Sequence, residues 1–207
     1  MSSTRPMGKL YVISGPSGTG KGTIYKELLK DPNMDFSVSM TTRAPREGEV
    51  DGKDYYFVSR ETFLENIEKN NFLENAEVFD NMYGTPRDAV MKRLERGRNV
   101  LLDIDVQGGL QVKKSMPEAI MIFILPPSMA ELRHRLEKRG TETQEVMEKR
   151  LGKAINEMKL LGEYDYYIVN DELNTAIDQV RSIIAAENLR VPDKIKPIIA
   201  SYENEKK

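Results

Sequence analysis

Apolar and polar positions along the chain alternate between short, nearly continuous apolar runs and longer stretches of helical period. Lys9-Leu-Tyr-Val-Ile-Ser14, Asn99-Val-Leu-Leu-Asp-Ile-Asp105 and Ala119-Ile-Met-Ile-Phe-Ile-Leu125 read as strands buried on both faces, as in a parallel sheet, and Tyr166-Tyr-Ile-Val169 as a fourth. Helical spacing follows the first run at 23–30 and recurs at 87–95, 108–114, 128–138, 143–161 and 172–187. That order predicts an α/β fold with a parallel sheet flanked by helices. Residues 36–86 differ in texture. Short alternating pieces at 36–40, 54–58 and 72–79 surround a polar, turn-rich loop at 41–53, which predicts an inserted α+β lobe. The expected division is a core of 8–35, 87–127 and 158–189, a lobe of 36–86, a helical lid of 128–157, and a tail of 190–207 to which no role is assigned. Ser128-Met-Ala-Glu131 fits a capping box and Thr141-Glu-Thr-Gln144 offers a second helix start, so the lid should be a helical hairpin turning at Gly140.

Composition narrows the chemistry. Lys and Arg number 31 against 33 Asp and Glu, a formal net charge of −2, which speaks against a nucleic-acid or membrane partner held by bulk charge. There is no cysteine, which removes disulfides, thiolate metal sites and cysteine nucleophiles and suits a reducing compartment. His134 is the single histidine, too little for a Ser-His-Asp triad or a histidine-rich metal site, and it reads as a surface or packing residue. The run at 119–125 is too short to span a bilayer, and residues 1–9 lack the apolar core of a signal peptide. A cytoplasmic monomer or homodimer is expected.

Gly15-Pro-Ser-Gly-Thr-Gly-Lys-Gly-Thr23 satisfies G-x-x-x-x-G-K between a strand and a helix. Glycines let backbone N–H groups (of Gly15, Pro16's neighbours, Ser17, Gly18, Thr19, Gly20 and Gly22) turn toward phosphate oxygens. The helix N-terminus adds its dipole, and Lys21 reaches the β and γ phosphates. A cation at a helix N-terminus is otherwise disfavoured, so a bound anion is the simplest compensation. Where the motif expects Ser or Thr for magnesium stands Gly22; Thr23 follows and could approach the metal directly or through water. Asp103 and Asp105, ending a buried run, are candidates for Mg²⁺, its waters or a ligand's donors. Asp105-Val-Gln-Gly108 also fits the D-x-x-G of a GTPase, but no Asn-Lys-x-Asp base reader follows; Val169-Asn-Asp-Glu172 lacks the lysine and the spacing.

Arg43 and Arg46, separated by Ala44-Pro45, could converge on a phosphate with hydroxyls from Tyr55 and Tyr83, or simply balance Glu47 and Glu49 on a solvated loop. In Phe72-Leu-Glu-Asn-Ala-Glu-Val-Phe79, strand alternation puts Glu74 on the side of Phe72, Ala76 and Val78, pointing inward. A buried carboxylate needs donors, and guanine could supply two, N1–H and the 2-amino group, while its O6 accepts from Ser39 and Thr85; standing alone, Glu74 reads rather as a surface acid on an edge strand. Arg135 and Arg139 lie four apart on one helix face, with Arg150 in the next helix, facing a phosphoryl group or pairing with Glu131, Glu137 or Glu142.

In order along the chain, the phosphate loop, Thr41-Thr-Arg-Ala-Pro-Arg46, Tyr83-Gly-Thr85, Leu102-Asp-Ile-Asp-Val-Gln-Gly108 and Arg135-Leu-Glu-Lys-Arg-Gly140 resemble the guanylate kinase family over roughly residues 8–189. The resemblance implies a P-loop core and transfer of the γ-phosphoryl of ATP to GMP with Mg²⁺. It adds Asp105 as a guanine contact, Arg135, Arg139 and Arg150 as lid arginines acting with Lys21 and Arg43, and Asn170 on the adenine side. Two rivals are a kinase for another monophosphate and a non-catalytic guanylate-kinase-like module that binds protein segments; such modules usually carry a degraded phosphate loop.

Overall fold

The computed structural model describes residues 7–78, 80–138, 144–191, 199–200 and 202–203. Five strands form one sheet, in the order β2 (Met34–Phe36), β7 (Asn99–Asp103), β1 (Leu10–Ser14), β8 (Ile120–Leu125), β9 (Tyr166–Val169). Every pairing in it is parallel. Side chains on a strand alternate between faces, and the core divides accordingly. Tyr11, Ile13, Leu101, Ile122 and Ile124 face one side, under α1 (Lys21–Leu28) and α7 (Leu173–Asn188). Leu10, Val12, Val100, Leu102 and Met121 face the other, under α3 (Arg87–Glu95) and α4 (Val106–Ser115). Burial on both faces is why these segments read as continuous apolar runs. Phe36, expected in the inserted lobe, instead ends a core strand beyond the four expected. The fifth, β2, has three residues and pairs with β7 at Met34–Asn99 to Phe36–Leu101.

A second sheet of four strands runs β4 (Tyr56–Phe57), β3 (Met40–Thr41), β6 (Asn81–Pro86), β5 (Phe72–Val78). It packs Phe72 and Met82 against Phe63 of α2 (Arg60–Glu68), the two phenyl rings stacking at 4.5 Å. The alternation expected along β5 does not hold. Phe72, Leu73 and Glu74 are buried in succession, whereas Ala76 and Val78 are exposed, because the β5–β6 register shifts between Phe72 and Glu74. A bulge of this kind puts consecutive residues out of strict alternation.

The helical hairpin is described on both sides of residues 139–143. Leu132 and Leu136 of α5 (Met129–Lys138) pack with Leu151 and Ala154 of α6 (Gln144–Met158). Ser128 Oγ accepts the Glu131 N–H at 3.1 Å, as the capping pattern predicts. The second start at 141–144 and the turn at Gly140 lie outside the described residues. No helix among the described residues is long and apolar enough to cross a membrane.

After α6, a 3₁₀ turn (Leu161–Glu163) delivers Tyr164 into the core, edge-on to Phe123 at 4.9 Å, and burial pushes its hydroxyl up to about 12. Gly109 makes this fit possible: a Cβ there would lie 2.6 Å from Tyr164 Oη and 2.8 Å from Ser14 Oγ. Gly109→Ala should therefore lower stability by about 1–3 kcal/mol, the usual cost of overpacking. Denaturant unfolding reads this directly, and an unchanged midpoint would refute it.

Candidate active site

Parallel sheets of this kind bind ligands beyond the carboxyl ends of their strands, where neighbouring strands lead to opposite faces. Here β1 runs into Gly15, with Ile13 beside Asp103 of β7 and Ser14 beside Phe123 of β8. The loop then turns through three glycines at positive φ, Gly15, Gly18 and Gly20, the last being the N-cap of α1. At Gly15 a Cβ would meet Ile124 O at 2.3 Å, and at Gly18 it would meet Leu132 Cδ1 at 2.9 Å, so backbone and helix α5 both press on the loop. Lys21 Nζ curls back to donate to the carbonyls of Gly15 and Pro16, at 2.5 and 2.9 Å. Thr19 Oγ1 donates to Pro16 O, while Ser17 and Thr23 are exposed at the loop and at the first turn of α1.

Asp103 borders this loop, its Oδ2 3.9 Å from where a Cβ of Gly22 would sit. Solvent reaches its side chain, yet protein surrounds it in the cleft: that burial raises its pKa, and the charge of Lys21 draws it back down. Asp105 does not continue the strand, which ends at Asp103. It is the N-cap of α4, its Oδ1 accepting the Gly108 N–H at 2.9 Å. The D-x-x-G spacing is thus a helix cap.

The second sheet gathers the candidate acceptor residues. Glu74 and Thr85 are cross-strand neighbours, and the Thr85 hydroxyl donates to Glu74 Oε1 at 2.6 Å. Glu74 is 9% exposed, and burial raises its pKa, opposed by the Thr85 hydrogen bond and helped by the charge of Asp105. Its other oxygen faces α4, 3.3 Å from where a Cβ of Gly108 would stand. As placed, Thr85 gives its one proton to Glu74, which leaves O6 of a guanine to the half-buried Ser39.

Arg43 lies over the rings of Tyr55 and Phe57, at 5.5 and 5.7 Å, with Tyr55 edge-on to Tyr83 at 6.0 Å. Glu49 ties this loop together: Oε1 accepts from Arg43 Nη2 at 2.8 Å and Oε2 from the Arg46 N–H at 2.7 Å. The Arg46 side chain is exposed and enters through its backbone alone. The sequence offers Glu49 only as a possible counter-charge; its three-residue spacing from Arg46 is the available sign of a turn-closing role.

From the hairpin, Arg135 Nε donates to Glu131 at 2.7 Å and Nη1 to Asn170 O at 3.0 Å, while Arg150 Nη1 donates to Ser17 Oγ at 3.2 Å. Both helices thus reach the phosphate loop's surroundings. Arg139 lies outside the described residues. His134 is exposed beside Glu131. Asn170 is buried, and its Nδ2 donates to Thr19 O at 2.7 Å, so its amide braces the loop. This brace was invisible along the sequence, because 151 residues separate its ends.

A family model described as "Guanylate kinase" matches residues 7–187. A guanylate kinase of Clostridium tetani is 54% identical over 192 residues, covering 93% of this chain and 92% of the relative. The chain belongs to the guanylate kinase family. A guanylate kinase of Caldanaerobacter subterraneus is 50% identical over 204 residues, 98% of each chain. The crystal structure of guanylate kinase from Anaplasma phagocytophilum superposes with a TM-score of 0.69 at 38% identity, covering 90% of this chain and 89% of that one. The parallel sheet and phosphate loop described above are thus a guanylate kinase fold, and the GTPase alternative falls with its D-x-x-G reassigned as a cap.

Proposed function

We infer that the chain transfers the γ-phosphoryl group of ATP to GMP, giving ADP and GDP. The observation that carries this reading is Glu74, a buried carboxylate with one oxygen held by Thr85 and the other turned toward Gly108 at the cap of α4. Guanine answers it with two adjacent donors, whereas adenine has an acceptor at N1 and no amine at C2. A site that leaves buried polar groups unpaired rejects such an analogue by about 10⁴-fold or more. The intact phosphate loop argues against a purely protein-binding module, since Gly15, Gly18, Gly20 and Lys21 all remain.

GMP is itself an anionic nucleophile, so no general base is required, and the chain's task is to bring like charges together. Lys21 and the phosphate loop hold the donor's phosphates; Arg43 with Tyr55 and Tyr83, joined by Arg46, hold the acceptor's. Arg135, Arg139 and Arg150 supply positive charge as the phosphoryl group moves, and Asn170 keeps the loop in shape beside the adenine. We assign 36–86 as the GMP-binding lobe, 128–157 as the lid and the remainder through 189 as the core; closure of lobe and lid over both nucleotides would exclude water as a competing acceptor.

Magnesium fits this site. One carboxylate, Asp103, stands beside the loop, Thr23 is exposed in the first turn of α1, and magnesium characteristically keeps several waters and takes one or two carboxylates plus substrate phosphates. Asp103 and Thr23 would hold it, directly or through water. Bound with ATP, it would neutralise charge on the β and γ oxygens. We place the protein in the cytoplasm, in keeping with its lack of cysteine.

A coupled assay of ADP release with GMP, AMP, CMP or UMP under identical ATP tests the reading; GMP should be preferred by orders of magnitude, and equal turnover of AMP would sink it. The same assay has a pH signature. Glu74 holds its proton more tightly than a free glutamate, so as pH falls through that raised value the carboxylate becomes neutral and loses a guanine acceptor. The KM for GMP should then rise at acidic pH by more than in Glu74→Gln, which lacks this titrating carboxylate.

A further inference from the structure

One cavity borders the acceptor site but is lined by none of the residues assigned above. It encloses about 640 Å³ between the two sheets, with Asp35, Arg98 and helix α3 on one side and Met40 of β3 and Tyr56 of β4 on the other. Four cations, Lys92, Arg93, Arg96 and Arg98, line it against two carboxylates, Asp35 and Asp88, although the whole chain is net negative. Asp35 is already doubly engaged. Arg98 Nε donates to both its oxygens at 3.2 Å, and Arg93 Nε lies 4.0 Å away.

Lys92 and Arg96 are exposed, and neither side chain has a hydrogen-bond or ion-pair partner among the described residues. The dipole of α3 accounts for cations in its last turn, Lys92 and Arg93. It also favours Arg96 at the C-cap, and Arg98 is held by Asp35, so the cations without a side-chain partner among the described residues in this hollow are Lys92 and Arg96. The remaining lining is largely apolar: Met40, Pro86, Ala89 and the aromatic Tyr56. Met40 and Tyr56 are cross-strand partners, next in sequence to Ser39 and Tyr55 of the acceptor site. An occupant here touches both sheets at once.

We propose that this groove binds a nucleoside polyphosphate, its phosphates on Lys92 and Arg96 and its base against Tyr56, at a site separate from donor and acceptor sites. Paired cations suit phosphate oxygens, and an aromatic face suits a base. The test saturates the enzyme with a bisubstrate compound joining adenosine and guanosine through five phosphates, then measures binding of labelled GTP by equilibrium dialysis. One further GTP per chain is expected. The double variant Lys92→Ala/Arg96→Ala should weaken it by about tenfold or more, given about 1.4 kcal/mol per decade, while turnover of ATP and GMP stays unchanged. Tyr56→Ala should weaken GTP but not inorganic tripolyphosphate. Binding that does not exceed the bisubstrate's, or that survives the double substitution, overturns the proposal. So does tripolyphosphate matching GTP in affinity with Tyr56→Ala having no effect.

Discussion

Lys21→Ala should lower kcat by about 10²- to 10³-fold with every acceptor tested, the cost of removing one preorganised positive group from a charge-developing transition state. The geometry explains why the loss falls on turnover more than on folding. Lys21 Nζ rests on the carbonyls of Gly15 and Pro16, inside a loop whose path is independently fixed by positive-φ glycines, by Thr19 on Pro16 O and by Asn170 on Thr19 O. Removing the ammonium forfeits those two hydrogen bonds but also relieves a cation at the N-terminus of α1, so stability should change by no more than about 1 kcal/mol. Steady-state kinetics with thermal denaturation separates the two effects. A variant that keeps kcat within a few-fold would show that the lysine is a loop-packing residue and nothing more.

The loop was legible because its signal is local. Glycine spacing, a preceding apolar run and a following helix all lie within twenty residues, and the fold used each as read. The buried strands were legible for a similar reason, since burial on both faces leaves a continuous apolar run. What escaped was short or non-local. Strand β2 has three residues, too few to show a period, and exists through its pairing with β7. Helix α2 was missed because its outward face, Glu61, Leu64, Glu65 and Glu68, is mostly charged and only Phe63 is buried. Strand β6 was hidden by Gly84 and Pro86, residues that weaken strand propensity; Gly84 is needed because the Phe72 ring would lie 2.8 Å from a Cβ there.

Glu74 joins the legible to the illegible. Its inward orientation was expected from alternation, yet it is buried through a register shift that alternation does not contain. Likewise Asp105 drew attention as a carboxylate near a strand end, but its cap on α4 fixes where that carboxylate stands. In both cases sequence located the chemical group, and tertiary pairing set its direction. Asn170 and Thr19, or Glu49 and Arg43, show the same limit: each partner is ordinary alone, and the function lies in the contact.

Glu74→Gln separates recognition from stability within one residue. Guanine presents N1–H and a 2-amino group, both donors; the carboxylate accepts from both, whereas glutamine offers one acceptor and turns an amide donor toward the other N–H. Losing one charge-assisted hydrogen bond and facing a donor with a donor should reduce kcat/KM for GMP by about 10²- to 10³-fold. ATP affinity should stay constant, and the preference for GMP over AMP should narrow, because an amide edge complements adenine as well. Stability should move the opposite way. Burial raises the Glu74 pKa in the folded protein above its unfolded value, so the native state binds that proton more tightly than the unfolded chain does. The wild-type protein therefore loses stability as pH rises from the unfolded value through the raised one, and stays at that lower level at neutral pH. Glutamine does not ionise and can still accept from the Thr85 hydroxyl, so its thermal midpoint at neutral pH should equal or exceed the wild type's. A variant that is both less stable and equally selective for GMP would assign Glu74 to the packing of β5 against β6 and remove it from base recognition.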